Sequence, residues 1–239
     1  MNFENKIKTL ITSPQISADA LDSLRNMGVE VLFSCESPNV LPPLKYHADM
    51  QITGVGSGKM ICAPECYDYY CNILKNKDIK ILAGDTILTS NYPGDIAYNI
   101  IVDEKFAIHN FRHTDSVILQ NLGERKKINV SQGYTACTLC VVGENAFITS
   151  DRGIYSVLLG NGADVLLTND NCIRLEGFDH GFFGGASVML SPGVMAVNGC
   201  LESHPDYIAI SSFCKAHGVD IISLSSDIIT DIGSFISCE

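Results

Sequence analysis

Six polar residues of types that can do chemistry together stand at comparable places along this chain, each at or near the start of a short apolar segment. They are His47, Asp49, Asp95, Asn99, Cys137 and Asp231. A thiol is a nucleophile, an imidazole transfers protons near neutral pH, and carboxylates hold a cation by paired hydrogen bonds. If the fold brings these residues together, the sequence predicts a thiol and carboxylate site for a small cationic ligand.

Each of these residues also has a plainer interpretation. An aspartate at the start of a strand often caps a turn, and Asp95 in Pro93-Gly94-Asp95 suits that role. Cys137 suits a buried core position, because a free cysteine packs as a small hydrophobe. The recurrence of polar residues at equivalent places favours the functional interpretation over the structural one.

Glycine and a second cysteine add two local signals. The segment from Gly177 to Gly185 is rich in glycine, and Gly184-Gly185 opens an apolar segment, which indicates backbone lying close to a ligand or to a crowded axis. Cys137 and Cys140 have the spacing of a metal or redox pair, but on a strand an offset of three sends the two sulfurs to opposite faces. We therefore expect no metal and no cofactor. The histidines at 109, 113, 204 and 217 fall on predicted turns or helices and are expected at the surface.

The elements that must position these residues repeat five times. In each copy a short apolar segment is followed by a turn and a second apolar segment. The pairs are 48–52 with 59–63, 94–100 with 105–108, 136–142 with 146–149, 184–189 with 194–197, and 231–236 with 8–12. The last pair joins the two ends of the chain, which suggests a closed ring.

A helical pattern and a third apolar strand follow each pair. The helices are predicted at 17–27, 67–76, 115–123, 154–160 and 205–217, and the third strands at 29–33, 79–83, 127–130, 164–167 and 219–222. The predicted fold is α/β: a five-bladed, pseudo-symmetric α/β propeller of ββαβ repeats, with one repeat split across the termini, forming a single domain over residues 1–239. The first strand of each repeat is expected to lie innermost, so that the polar residues converge on the axis.

Composition excludes several classes of partner. The chain has 239 residues, 46% of them apolar, and a formal net charge of −11. An acidic chain without a basic surface is not expected to bind nucleic acid, and no apolar run is long enough to predict a membrane span. Without a recognisable signal peptide, the ten cysteines are expected to be reduced thiols in a cytoplasmic protein.

The repeat pattern resembles the pentein fold, the α/β propeller of enzymes that modify guanidino groups. In those enzymes a His-x-Asp motif begins one inner strand, and the nucleophilic cysteine begins another inner strand two repeats later. His47-Ala48-Asp49 is similar to the first motif, and Cys137 stands two repeats on. The chain also resembles an uncharacterised bacterial family assigned to this fold, through Tyr-His-Ala-Asp at 46–49, Tyr-Pro-x-Asp-x-x-Tyr-Asn at 92–99 and Gly-Tyr-x-x-Cys at 133–137.

The resemblance implies a thiol-dependent hydrolase or amidinotransferase that acts on a small guanidino or amidino compound. It implies Cys137 as nucleophile and His47 as general acid and base. The expected binding residues are Asp49, Asp95, Asn99, Gly184, Gly185 and Asp231. The enzymes usually carry their cysteine near the C-terminus, where this chain offers Ser234, Ser237 and Cys238, so the choice between Cys137 and Cys238 stays open.

A second interpretation is a propeller without catalytic activity. The ribosome anti-association factors share the fold and the approximate length, so the chain also resembles a binding protein with a protein partner. Fold alone does not choose between an enzyme and a binding protein.

Overall fold

The computed structural model describes residues 6–238 and contains five separate three-stranded sheets. In each sheet the middle strand pairs antiparallel with the inner strand and parallel with the outer strand. This confirms the predicted five-bladed α/β propeller of ββαβ repeats. Residues 1–5 and 239 of the predicted domain lie outside the described residues.

The fifteen strands fall into three sets according to their place in a sheet. The inner strands are β3 (Ile52–Gly56), β6 (Ile101–Val102), β9 (Leu139–Gly143), β12 (Ser187–Ser191) and β15 (Ile236–Ser237). The middle strands are β1 (Thr9–Thr12), β4 (Lys59–Cys62), β7 (Phe106–His109), β10 (Ala146–Thr149) and β13 (Val194–Val197). The outer strands are β2 (Glu30–Phe33), β5 (Lys80–Ala83), β8 (Lys126–Asn129), β11 (Asp164–Leu167) and β14 (Asp220–Ser223).

One helix crosses from the middle to the outer strand in each repeat. These helices are α1 (Ala18–Asn26), α3 (Tyr67–Ile73), α4 (Ser116–Asn121), α6 (Arg152–Gly160) and α7 (Tyr207–Ala216). Ser17 caps the start of α1, since its hydroxyl accepts the Ala20 amide at 3.2 Å. In the described part of the chain, no helix has the length and apolarity that crossing a bilayer requires.

The split repeat joins the two ends of the chain. β15 pairs with β1 through Leu10 opposite Ser237 and Ile11 opposite Ile236. The buried Ile11 continues into a large apolar cluster with Ile52 and Ala107 of the next two repeats. Burial between neighbouring blades therefore stabilises the ring, because a single blade cannot cover its own apolar faces.

The inner strands surround a central cavity of about 590 Å³. Each of the five contributes to its wall, through Thr53, Ile101, Val141, Met189 and Ile236. This arrangement defines the axis of the propeller.

The structure corrects one local prediction, because most of the polar residues precede the inner strands instead of lying on them. His47 caps a short helical turn, α2 (Ala48–Gln51), and Cys137 lies in another, α5 (Thr135–Thr138). Gly184–Ala186 forms a 3-10 turn before β12, and residues 94–100 form turns before β6. In a helical turn, side chains three or four residues apart share a face, whereas in a strand the spacing is two. The two-residue rule therefore does not tell which of these side chains point toward the axis.

Candidate functional site

Cys137 and Asp49 meet at the axis. The Cys137 sulfur lies 3.0 Å from Asp49 Oδ2 and donates its proton to it. The Ser234 hydroxyl donates to the same oxygen at 2.5 Å. Three repeats thus converge on one carboxylate oxygen, and all three side chains are buried.

Asn99 connects a further repeat to the thiol. Its side-chain amide donates to the Cys137 sulfur at 3.2 Å, and its Oδ1 accepts the Ala136 amide at 2.7 Å. The second bond fixes which way the amide faces, so that the NH₂ group is presented to the sulfur. Asn99 therefore orients both the helical turn α5 and the side chain of Cys137.

His47 lies beside this pair. One nitrogen of His47, one carboxylate oxygen of Asp49 and the sulfur of Cys137 all lie within 4.8 Å of one another. Gly233, with a φ of +75°, packs its Cα against the imidazole, and an added Cβ would lie 2.2 Å from His47 Cγ. One nitrogen, one oxygen and one sulfur at this spacing are ligand types that a divalent cation such as zinc can bind.

Asp231 comes from the split repeat and is almost fully enclosed by backbone. Its carboxylate accepts the Phe182 amide at 3.0 Å and the Gly233 amide at 2.9 Å. Burial raises the pKa of Asp231 to about 6, with the negative charge of Asp49 adding to the shift and His47 opposing it. Asp49 therefore lies close enough for its charge to act on Asp231.

The two predicted glycines provide close backbone approach to these side chains. An added Cβ on Gly185 would lie 2.0 Å from Asp231 Oδ1, and one on Gly184 would lie 2.4 Å from the Cys137 carbonyl oxygen. Only glycine allows both contacts, because any side chain would displace the residue it faces. The glycine-rich signal in the sequence thus coincides with a crowded axis.

Asp95 is held from one side by Tyr134. The Tyr134 hydroxyl donates to Asp95 Oδ2 at 2.6 Å, and its ring lies 5.7 Å from that of Tyr92. Tyr134 was missed by the sequence reasoning. It precedes Cys137 by three residues, the spacing of one helical turn, in the Gly-Tyr-x-x-Cys segment that was noted only as a resemblance.

Three buried atoms of this cluster have no hydrogen-bond partner among the described residues. They are His47 Nδ1, Asp49 Oδ1 and Asp95 Oδ1. A buried polar atom without a partner costs free energy, so such atoms are rare in native structures. These three atoms are the hydrogen-bonding positions that the described residues leave open in this cluster.

The Cys137 thiol is protonated at rest. Burial, followed by the charges of Asp49 and Asp231, raises its pKa well above the ordinary value for a thiol. A cation bound between the carboxylates would reverse the electrostatic part of this shift.

The other cysteines and histidines have different surroundings. Cys140 places its sulfur 3.8 Å from the Met195 sulfur in an apolar cluster, so it does not share the environment of Cys137. Cys238 packs in another apolar cluster, with its sulfur 3.9 Å from the Ile236 carbonyl oxygen. The expected surface positions of His109 and His204 are wrong, since both residues are buried.

The fold and the site define a class of protein. The ring of five ββαβ repeats, with polar side chains meeting at one end of the inner strands, is the pentein architecture. The chain belongs to the Family of unknown function (DUF6873), whose model matches residues 11–236.

Solved structures with the same fold include three enzymes with similar coverage. SxtG, an amidinotransferase of the saxitoxin biosynthetic pathway from Microseira wollei, has a TM-score of 0.61 and 11% identity, covering 100% of this chain and 96% of that one. The inosamine-phosphate amidinotransferase from Streptomyces griseus has a TM-score of 0.56 and 10% identity, covering 100% and 95%. The agmatine deiminase of C. jejuni has a TM-score of 0.57 and 10% identity, covering 94% and 89%. No curated protein sequence matches this chain at a significant level.

Proposed function

We propose that this protein is a thiol-dependent enzyme that acts on a small guanidino or amidino compound, as a hydrolase or as an amidinotransferase. The observation that carries the proposal is the Cys137 thiol hydrogen-bonded to Asp49, whose second carboxylate oxygen is buried and has no hydrogen-bond partner among the described residues. The names of the similar structures, which describe amidino transfer and agmatine deimination, support the same class of substrate.

Recognition of the substrate depends on paired carboxylates. A guanidinium ion presents its N–H groups in one plane, and two carboxylate oxygens at its edges satisfy them by charge-assisted hydrogen bonds. Asp49 Oδ1 and Asp95 Oδ1 are free to accept such bonds. Asp231 is the third carboxylate of the cluster. Both of its oxygens already accept backbone amides, so it acts on the cation through its negative charge and not through a direct hydrogen bond.

The bound cation then activates the thiol. Its positive charge offsets Asp49 and Asp231, which lowers the pKa of Cys137, and His47 accepts the thiol proton. The thiolate attacks the guanidinium carbon and forms a C–S bond. The C–N bond to the substituent breaks, and His47 delivers the proton to the departing amine.

The resulting S-amidino-cysteine is resolved by a second nucleophile. Water gives urea in the hydrolase, whereas an acceptor amine gives a new guanidine in the amidinotransferase. In both cases His47 removes the proton of the incoming nucleophile and Cys137 leaves as the thiol.

The test uses 2-chloroacetamidine, an amidinium ion whose chloromethyl carbon alkylates a thiolate with loss of chloride, and its neutral counterpart 2-chloroacetamide. We expect the cationic reagent to modify Cys137 faster than the neutral one, and peptide mass mapping to locate the adduct. The preference for the cation should disappear in Asp49→Asn, and the adduct should be absent in Cys137→Ser.

A binding protein without activity is the second candidate, and the protonated resting state of the deeply buried Cys137 thiol favours it. It predicts no cationic preference at Cys137 and no turnover of guanidino compounds. Equal modification of Cys137 by both reagents, at the rate of the buried core thiols, would contradict the enzyme proposal.

A further inference from the structure

Gln51 connects the repeat that contains β3 to the segment that follows β2 through side-chain hydrogen bonds. It is the last residue of the turn α2, which also carries Asp49. Its side-chain NH₂ donates to the carbonyl oxygens of Cys35 at 2.9 Å and Lys45 at 2.8 Å. Its Oε1 accepts the Tyr70 hydroxyl at 2.7 Å and the Cys35 thiol at 3.2 Å. Every hydrogen-bonding group of this buried amide is thus used, and two of the four bonds depend on Cys35.

Cys66 approaches the same place from the other side. The Gln51 carbonyl oxygen accepts the Ala63 amide at 2.8 Å, which anchors the 3-10 turn Pro64–Cys66 next to Gln51. The Tyr69 hydroxyl donates to the Phe33 carbonyl oxygen at 3.0 Å, which fixes the start of α3 against the end of β2. The two cysteines, thirty-one residues apart in sequence, lie in the same apolar cluster, and each thiol is near enough to the other to shift its pKa.

The two thiols differ in access and acidity. Cys35 is half-buried and Cys66 is buried. The neighbouring Cys66 thiol lowers the pKa of the Cys35 thiol, and Cys35 in turn raises the pKa of Cys66. By contrast, burial raises the pKa of the neighbouring Cys62 to about 12, so Cys35 is the better thiol of the two for the first reaction with a peroxide. An accessible, acidic thiol beside a second thiol has the arrangement of a peroxide-sensitive pair.

We propose that Cys35 and Cys66 form a reversible disulfide when the protein meets a peroxide. The Cys35 thiolate attacks one peroxide oxygen, the O–O bond breaks, and Cys35 becomes a sulfenic acid with release of water or an alcohol. The Cys66 thiol then attacks the Cys35 sulfur, the S–O bond breaks, and a second water leaves. Two thiols are oxidised and one peroxide is reduced. This modification site is separate from Cys137 and does not depend on the proposed reaction.

The disulfide also changes the surroundings of Gln51. An S–S bond is about 2.05 Å long, so the Cys35 sulfur must move toward Cys66 and loses its proton. Gln51 Oε1 then retains only the Tyr70 hydroxyl. Because Gln51 ends the turn that carries Asp49, oxidation should loosen α2. The redox state of Cys35 and Cys66 would then affect the position of Asp49 beside Cys137.

The first test is peptide mapping of the full-length protein after limited oxidation with hydrogen peroxide and blocking of the remaining thiols by N-ethylmaleimide. We expect a Cys35–Cys66 linked peptide that disappears on reduction. It should be absent in Cys35→Ser and Cys66→Ser and retained in Cys71→Ser, a half-buried cysteine of the same repeat. In Cys66→Ser, dimedone should trap the sulfenic acid on Cys35, and Cys66→Ala replaces this variant if the serine impairs folding.

The second test is hydrogen–deuterium exchange. Residues 48–51 should exchange faster in the oxidised wild type than in the reduced wild type, and should not change on peroxide treatment of Cys66→Ser. Oxidation of Cys35 without a link to Cys66, a link to Cys62 or Cys71 instead, or the absence of Cys35 oxidation would each overturn the proposal.

Discussion

Ser234 and Asp49, which are 185 residues apart in the sequence, form one of the shortest contacts of the axial cluster, with the hydroxyl 2.5 Å from Asp49 Oδ2. Ser234 has a φ of +66°, in the left-handed region that most side chains avoid. Its backbone is fixed on both sides, since its amide donates to Gly185 and its carbonyl oxygen accepts the Thr12 hydroxyl. The unfavourable backbone conformation is therefore held in place by the closure of the ring.

The first prediction separates the hydroxyl of Ser234 from its backbone. Ser234→Ala loses a buried hydrogen bond to a carboxylate and should destabilise the protein by about 2 kcal/mol. Ser234→Gly loses the same bond but relieves the left-handed strain, so it should be the more stable of the two by about 1 kcal/mol. Urea unfolding of the three proteins measures both differences. Equal stability of the two variants would mean that the backbone at Ser234 is not strained.

The second prediction concerns the contact between Gly185 and Asp231. In Gly185→Ala the new methyl group would overlap Asp231 Oδ1, so the carboxylate or the backbone must move. We expect a loss of stability of at least about 2 kcal/mol and a loss of the cationic preference at Cys137. Gly54→Ala is the matched control, because a Cβ at this inner-strand glycine meets no atom within 4 Å.

The outcome of that pair would be informative in either direction. If both alanine variants behave like the wild type, the close packing of Gly185 on Asp231 is not required for the site. If only Gly54→Ala is neutral, the glycine-rich approach to β12 is explained by the space that Asp231 needs.

The architecture could be predicted from the sequence because it is repeated. A strand pair, a helix and a third strand recur with the right periods, and each copy supports the assignment of the others. The predicted helix at 17–27 corresponds to Ala18–Asn26, and the predicted third strand at 79–83 corresponds to Lys80–Ala83. Even the split repeat could be predicted, because each end of the sequence carries one part of a repeat and the two parts complete each other.

The local conformation at the site was harder to predict. Residues 48–51 and 135–138 contain apolar side chains that continue directly into a strand, so an alternating pattern masks the helical turn that precedes it. Tertiary contacts determine these turns: the Asp49 amide donates to Gly233 and the Ala136 amide to Asn99. Contacts between distant repeats leave no periodic signal, and for the same reason Tyr134 was missed.

The third prediction is that binding of a cation depends on Asp231 ionising. Because its pKa is raised to about 6, Asp231 is largely neutral at pH 5 and largely negative at pH 7. The affinity of Cys137→Ser for methylguanidinium, measured by calorimetry, should therefore rise about tenfold from pH 5 to pH 7. The same rise should be absent when Asp231→Asn is added. A pH-independent affinity in the single variant would show that Asp231 does not act on the cation.

The same pKa shift acts on stability with the opposite sign. The folded protein holds the Asp231 proton more tightly than the unfolded chain, whose aspartates titrate near pH 4. The contribution of Asp231 to stability is therefore present below about pH 4 and is lost as the pH rises through about 6. Asp231→Asn should remove this loss. Unfolding measurements without ligand would then show a flatter dependence of the free energy of unfolding on pH between about pH 4 and pH 6.

The fourth prediction concerns His109, which lies buried behind the loop that leads to Tyr134. Its Nδ1 is 2.6 Å from the Thr114 hydroxyl and its Nε2 is 3.2 Å from the Gly133 carbonyl oxygen. Since a carbonyl oxygen only accepts, Nε2 carries the proton and Nδ1 accepts from Thr114. Burial lowers the pKa of His109 to about 4, so the folded protein keeps this imidazole neutral.

The unfolded chain binds a proton on His109 near pH 6.5, whereas the folded protein resists it until about pH 4. Its contribution to stability is therefore full above about pH 6.5 and declines by about 3 kcal/mol as the pH falls to about 4. In His109→Gln, which keeps a donor for Gly133 but does not titrate, this decline should be missing. Urea midpoints of both proteins at pH 7, 6, 5 and 4.5 measure the difference, and parallel profiles would show that His109 is not the group responsible.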